Sequence, residues 1–263
     1  MIGNYSSDFL EQHKNNPEMA EFNSEVSNAV KFSLPDGGKF FEIKIKNNLA
    51  QDYKEYVPIL RMPYELTLLE FKLHEGELSD GLTIPKTPMF LLCKQIDDEI
   101  LFHICMKNTA TKEWMILSES PVRIEGQWDN LKPIAIPRVR DGDANSADLM
   151  RQFTLTMVTV VIEFLAALNC SNAEIVDDVK PDLKLNLSRK KKGKLPLFEY
   201  KVLVINTQVQ QVQQSRVSGK HASPRMHLRR GHIRKLENKT VWVNGCVVGN
   251  KALGVVDKSY KVV

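Results

Sequence analysis

The stretch Ser223 to Gly249, SPRMHLRRGHIRKLENKTVWVNGCVVG, crowds arginine and histidine into a segment that otherwise has the pattern of a β-hairpin. In an extended strand, Leu228, Arg230, His232 and Arg234 share one face, and His227, Arg229, Gly231 and Ile233 share the other. Neither is an ordinary core face. Glu237, Asn238 and Lys239 supply a polar turn, after which Val241, Val243 and Val247 alternate with Trp242, Asn244 and Cys246 in a return strand. Packing can come from the return strand, which leaves the first strand free to present guanidinium and imidazole groups to an anion or to a reacting group.

Two chemistries fit these residue types. Arg229, Arg230 and Arg234 can each take a phosphate through two parallel hydrogen bonds, and Gly231, lacking Cβ, lets a backbone come close. The competing reading is an edge strand whose charges only prevent edge-to-edge pairing. His227 and His232, with His221 nearby, could instead serve as general acid and base in metal-independent RNA cleavage, with Arg229 or Arg230 stabilising the phosphorane. The two histidines fall on opposite faces of a regular strand, so that chemistry needs a bulge at Gly231 to bring them together. No catalytic residue is assigned. The HxxxxH spacing with Cys246 lacks a fourth ligand and sits among guanidinium groups, so neither metal nor cofactor is expected. Trp242 could stack on a base or pack in a core. His74 and His103 are read as structural.

The charge is segregated. Although the whole chain of 263 residues carries +4, Lys180 to Lys239 holds sixteen Lys or Arg against three acids, a net of +13, which leaves −9 elsewhere. Such a patch marks a polyanion or acidic partner, and Arg189, Lys190, Lys191 and Lys192, in a lysine-rich loop from Pro181 to Gly193, extend the candidate nucleic-acid surface. An apolar content of 43% excludes disorder of the whole chain. Four scattered cysteines without a CxxC pair and a polar, acidic N-terminal stretch without a secretory apolar core fit reduced thiols in cytoplasm best. Phe153 to Leu168 carries Glu163 and threonines and reads as a buried helix; no membrane is expected.

The elements that must hold these residues follow from periodicity. Ser7 to Phe32 has near-helical apolar spacing and is broken by Pro35, Gly37 and Gly38. Leu66–Phe71, Met89–Lys94, Glu99–Met106 and Glu113–Leu117 are short apolar runs with turns at Asp97–Asp98 and Asn108–Lys112, the pattern of an antiparallel meander. A helix starts at Asn145 or Ser146 and runs to about Leu168; Asn169–Asp178 is a polar exit; Leu195–Asn206 is a strand; and Val255–Val263 is a possible closing strand. The expected class is α+β, an antiparallel sheet with one long buried helix, divided into an N-terminal helical segment (1–38), an α+β core (39–206), a flexible tether (207–222) and a basic hairpin packed on the core (223–263).

HLRRGHIR followed by a turn, VWV and VVG resembles a C-terminal signature of phage and plasmid proteins, a first histidine, RRGH, an arginine and then a tryptophan-bearing strand. His227, Arg229, Arg230, Gly231, His232 and Trp242 carry the resemblance. That family looks like the one containing a type V-A anti-CRISPR protein, which lowers biogenesis of the CRISPR nuclease instead of plugging its finished active site. Met226 stands where the family often has proline, and Ile233 where an aromatic can follow the second histidine. The N-terminal two thirds show no match beyond the look of MPYELTLLEF at Met62–Phe71. The resemblance implies an anti-defence context, with a host defence protein or its nascent chain as a partner. The charge map adds RNA or a ribonucleoprotein. Two other readings stay open: a small His-dependent ribonuclease, and a structural or assembly protein of a mobile element.

Overall fold

The computed structural model describes residues 4–40, 54, 57, 59–73, 76–77, 83–84, 86–117, 120–128, 130, 132, 134, 144–205, 225–229, 232–238, 240–243, 246–248 and 250–255. The N-terminal helical region forms as α1 (Tyr5–His13) and α2 (Ala20–Asn28), joined through a 3-10 turn at Pro17–Met19. It ends earlier than the spacing predicts. Lys31 Nζ reaches back to the carbonyls of Val26, Ser27 and Ala29 at 2.8, 3.0 and 2.9 Å, capping the C-terminus of α2 and letting the chain continue as strand β1 (Val30–Ser33).

The meander is present as β2 (Leu66–Lys72), the short pair β3 (Gly76–Glu77) and β4 (Thr83–Ile84), then β5 (Pro88–Ile96), β6 (Glu99–Lys107), β7 (Trp114–Ile116) and β8 (Val122–Glu125). Asp97, at φ 47°, turns the chain between β5 and β6, and Asn108 Oδ1 accepts from the N–H groups of Ala110 and Thr111 in the next turn. After the long helix α3 (Ala144–Leu168), the residues read as a polar exit form β9 (Ala173–Val179); its two aspartates are tolerated because it is the edge strand. The residues read as a lysine-rich loop form helix α4 (Leu183–Lys191), and the expected strand from Leu195 shrinks to β10 (Tyr200–Ile205).

The sheet runs β7-β6-β5-β2-β1-β10-β9, with β8 also on β6. It is mostly antiparallel but mixed, because β1 pairs parallel with both β2 (Phe32 opposite Leu69) and β10 (Phe32 opposite Lys201). Helices cover both faces. On one, Phe32, Leu69, Phe71, Met89, Leu91 and Ile104 meet Met157, Val160, Val161 and Phe164 of α3. On the other, Leu68, Phe90, Leu92, Cys105 and Trp114 meet Phe9, Leu10 and Val26 of α1 and α2. Burial on both sides explains why β2 and β5 read as continuous apolar runs. It also explains α3, which is long and apolar enough to cross a membrane by composition, yet forms the centre of this core.

One buried carboxylate fastens the N-terminal layer. Glu70, on the α1 side of β2, accepts the first free N–H groups of α1, from Tyr5 at 2.9 Å and Ser6 at 2.7 Å, and the Tyr200 hydroxyl at 2.6 Å. It replaces the side-chain cap that Asn4 does not supply. Burial pushes the Glu70 pKa up against those hydrogen bonds, and burial with the neighbouring carboxylate pushes Tyr5 up to about 12.

The C-terminal segment forms β11 (Arg225–Arg229), β12 (His232–Lys235), β13 (Thr240–Val243), β14 (Cys246–Val248) and β15 (Asn250–Val255). The expected closing strand Val255–Val263 lies, apart from Val255, outside the described residues, as do 207–222, His74 and His221.

Candidate nucleic-acid interface

The hairpin places the arginine and histidine positions by register. β12 pairs antiparallel with β13, His232 opposite Val243 through Lys235 opposite Thr240, and β11 pairs with β14, His227 opposite Val248 through Arg229 opposite Cys246. The two ladders belong to separate sheets, β12 with β13 and β14-β11-β15. Arg230 and Gly231 themselves lie outside the described residues, and for His227, Arg229, His232 and Trp242 only the backbone is described.

Within β11, positions 227 and 229 share one face, and within β12 positions 232 and 234 share one. The bulge at Gly231 that would bring the two histidines together falls outside the described residues. Arg234 is exposed, and its opposite residue Val241 is buried. β11 also pairs parallel with β15 at Arg225 and Met226, as the middle strand of its sheet, while at Arg229 the pairing is with Cys246 of β14.

The second group of basic residues sits on α4. Asp182 Oδ1 accepts the Lys184 N–H at 2.9 Å to start the helix. At its end Gly193, at φ 66°, donates to the Lys190 carbonyl, and Lys194 donates to the Arg189 carbonyl, both at 3.0 Å, a Schellman closure that suits glycine. The sequence signals were present: Asp182 before the helix, Gly193 after it, and three basic residues in the last turn. The lysine run concealed them.

Asn186 and Arg189 lie on the inner side of α4. Asn186 exchanges two hydrogen bonds with the backbone of Leu197, donating at 3.1 Å and accepting at 2.8 Å; Arg189 Nε donates to the Leu195 carbonyl at 2.8 Å and its terminal nitrogen to Ser7 Oγ at 3.4 Å. From α1, Glu11 accepts the Leu195 N–H at 2.8 Å, and Ser7 Oγ donates to the Pro196 carbonyl at 3.2 Å. Hydrogen bonds from Lys14 and Leu195 hold the Glu11 carboxyl below its usual range. Arg189 is thus a stitch between α4 and the N-terminal layer. Lys190, Lys191 and Lys192 are exposed, and their ammonium groups make no hydrogen bond or ion pair among the described residues.

The titratable groups inside the sheet belong to packing. His103 lies against Phe22 edge to face at 5.3 Å, and burial lowers its pKa. Cys93, Cys105 and Cys170 are buried free thiols whose pKa burial raises.

The exposed lysines of α4, without hydrogen bonds or ion pairs among the described residues, leave this α+β scaffold charge to offer another macromolecule. The family comparison specifies the class: the chain belongs to the AcrVA2-like family, anti-CRISPR type V subtype A2, whose model matches residues 48–237. It is a phage-type anti-defence protein that counters a host system. The match reaches far beyond the C-terminal stretch that carried the resemblance; it takes in Met62–Phe71 and His227–Arg234 and stops before Trp242. No curated protein and no solved structure matches the chain.

Proposed function

We propose that the chain acts on the defence system by engaging RNA or a ribonucleoprotein through the basic strand from Arg225 to Lys235, and that this strand binds without cutting. The supporting observation is the concentration of basic residues on β11 and β12. Cleavage needs an acid and a base converging on one phosphate, and positions 227 and 232 fall on opposite faces of a regular strand. Binding asks only for a density of donors, and Arg225 to Lys235 holds five Arg or Lys, two histidines and no acid. The partner is reached through phosphates first, with guanidinium groups making the paired contacts.

Binding of the purified protein to RNA at several salt concentrations, with the same RNA examined on a gel, tests this. The expected result is a steep loss of affinity with salt and intact RNA. His227→Gln and His232→Gln should each change affinity by less than about tenfold, or 1.4 kcal/mol. RNA cleavage by the wild type that disappears in either variant while binding persists would replace this reading with the ribonuclease.

A further inference from the structure

Helix α4 carries its apolar residues the wrong way round for a helix held by a core. Leu183, Leu185 and Leu187 are 80%, 47% and 61% exposed, and no residue of α4 is buried. A nine-residue helix does not hold itself in water, and an apolar face against a core normally supplies the difference. Here the Asp182 cap, the Gly193 closure and the Asn186 and Arg189 stitches fix the helix from its inner side. That leaves Leu183 and Leu187 one turn apart on the outer side, with Lys191 a further turn along and Lys184 and Lys190 flanking them. Lys192 and Lys194 follow, and no acid occurs between Leu183 and Phe198. The five ammonium groups have no partner among the described residues.

We infer that the outer face of α4 is a protein-docking surface whose occupant is an acidic amphipathic segment of the host defence protein. The inference rests on the family's class of target and not on the RNA reading of the hairpin. Charge complementarity selects the occupant. RNA would neutralise the lysines but leave Leu183 and Leu187 in water. A second copy would set lysines against lysines in a two-fold contact, and a head-to-tail contact would propagate without closing. An anionic lipid surface rewards a broad apolar face, and α4 offers two leucines. A segment with acids around apolar side chains covers the leucines and pairs the lysines together.

The test uses the full chain in cells carrying a type V-A CRISPR system, with a photo-crosslinking residue at position 187 or, as control, at position 96, where the exposed Ile96 stands. The expected result is an RNase-resistant, protease-sensitive adduct at 187 and not at 96. Its crosslinked peptide should come from the defence protein and hold more acids than bases. Lys190→Glu with Lys191→Glu should reduce the adduct to the control level, with the thermal transition of the purified protein unchanged. An adduct removed by RNase, an adduct of twice the chain's mass, a lipid adduct, a peptide without excess acid, insensitivity to charge reversal, or no adduct would each overturn the inference. Loss of RNA binding in the wild type alongside a specific adduct would sink the hairpin reading and leave this one standing.

Discussion

Helix α3 runs for 25 residues and buries Met157, Val158, Val160, Val161, Ile162, Phe164 and Leu165 against one face of the sheet, whereas α4 runs for nine and buries none. The first is positioned by apolar area and the second by hydrogen bonds at its ends and inner side. Apolar packing takes Met157–Leu165 of α3 out of a partner's reach. Polar anchoring leaves α4 its leucines and lysines. The same division separates the buried Glu70 cluster, whose acceptors are all matched, from the basic strand, where charge accumulates without acids beside it.

Substitutions should scale with this division. Phe164→Ala removes a ring packed 4.9 Å from Phe32 and should cost about 3–5 kcal/mol in urea unfolding. Glu70→Ala leaves Tyr200, Tyr5 and Ser6 without their acceptor and should cost about 3 kcal/mol, with Trp114 fluorescence reporting a loosened N-terminal layer. Asn186→Ala breaks both hydrogen bonds to Leu197 and should cost about 1 kcal/mol, while Lys190→Ala and Lys191→Ala should each stay within about 0.5 kcal/mol. A large loss from either lysine would show that α4 is held by its outer face, contrary to the comparison.

The smallest effect concerns pH. Burial keeps His103 neutral in the fold and holds its pKa below 6.5, so the unfolded chain takes the proton first. Its contribution is complete above the unfolded value and is lost as pH falls from there toward the lowered folded value. Stability should therefore decline below about pH 6.5, and His103→Gln should flatten that part of the profile. An unchanged profile would remove His103 as the cause.

The meander and α3 were legible because long apolar runs lay between turn residues that turn where expected, Asp97 and Lys112 at positive φ among them. β1 was hidden because Val30 and Phe32 continue the helical spacing of α2, and only the reach of Lys31 back to the α2 carbonyls ends that helix. β9 was hidden by Asp177 and Asp178, which an edge strand accepts and an interior one does not. α4 was hidden because periodicity finds a buried face and this helix has none. The density of charge on β11 and β12 was plain in the sequence, while their partners, β14 for β11 and β13 for β12, depend on tertiary pairing.

The central claim is that the basic strand binds RNA through its arginines. Salt-titrated RNA binding by Arg229→Ala with Arg230→Ala, beside a thermal transition of the same protein, tests it most directly. The account predicts weaker binding, a shallower dependence on salt and a normal transition. Affinity and salt dependence equal to the wild type's, in a folded variant, would contradict it.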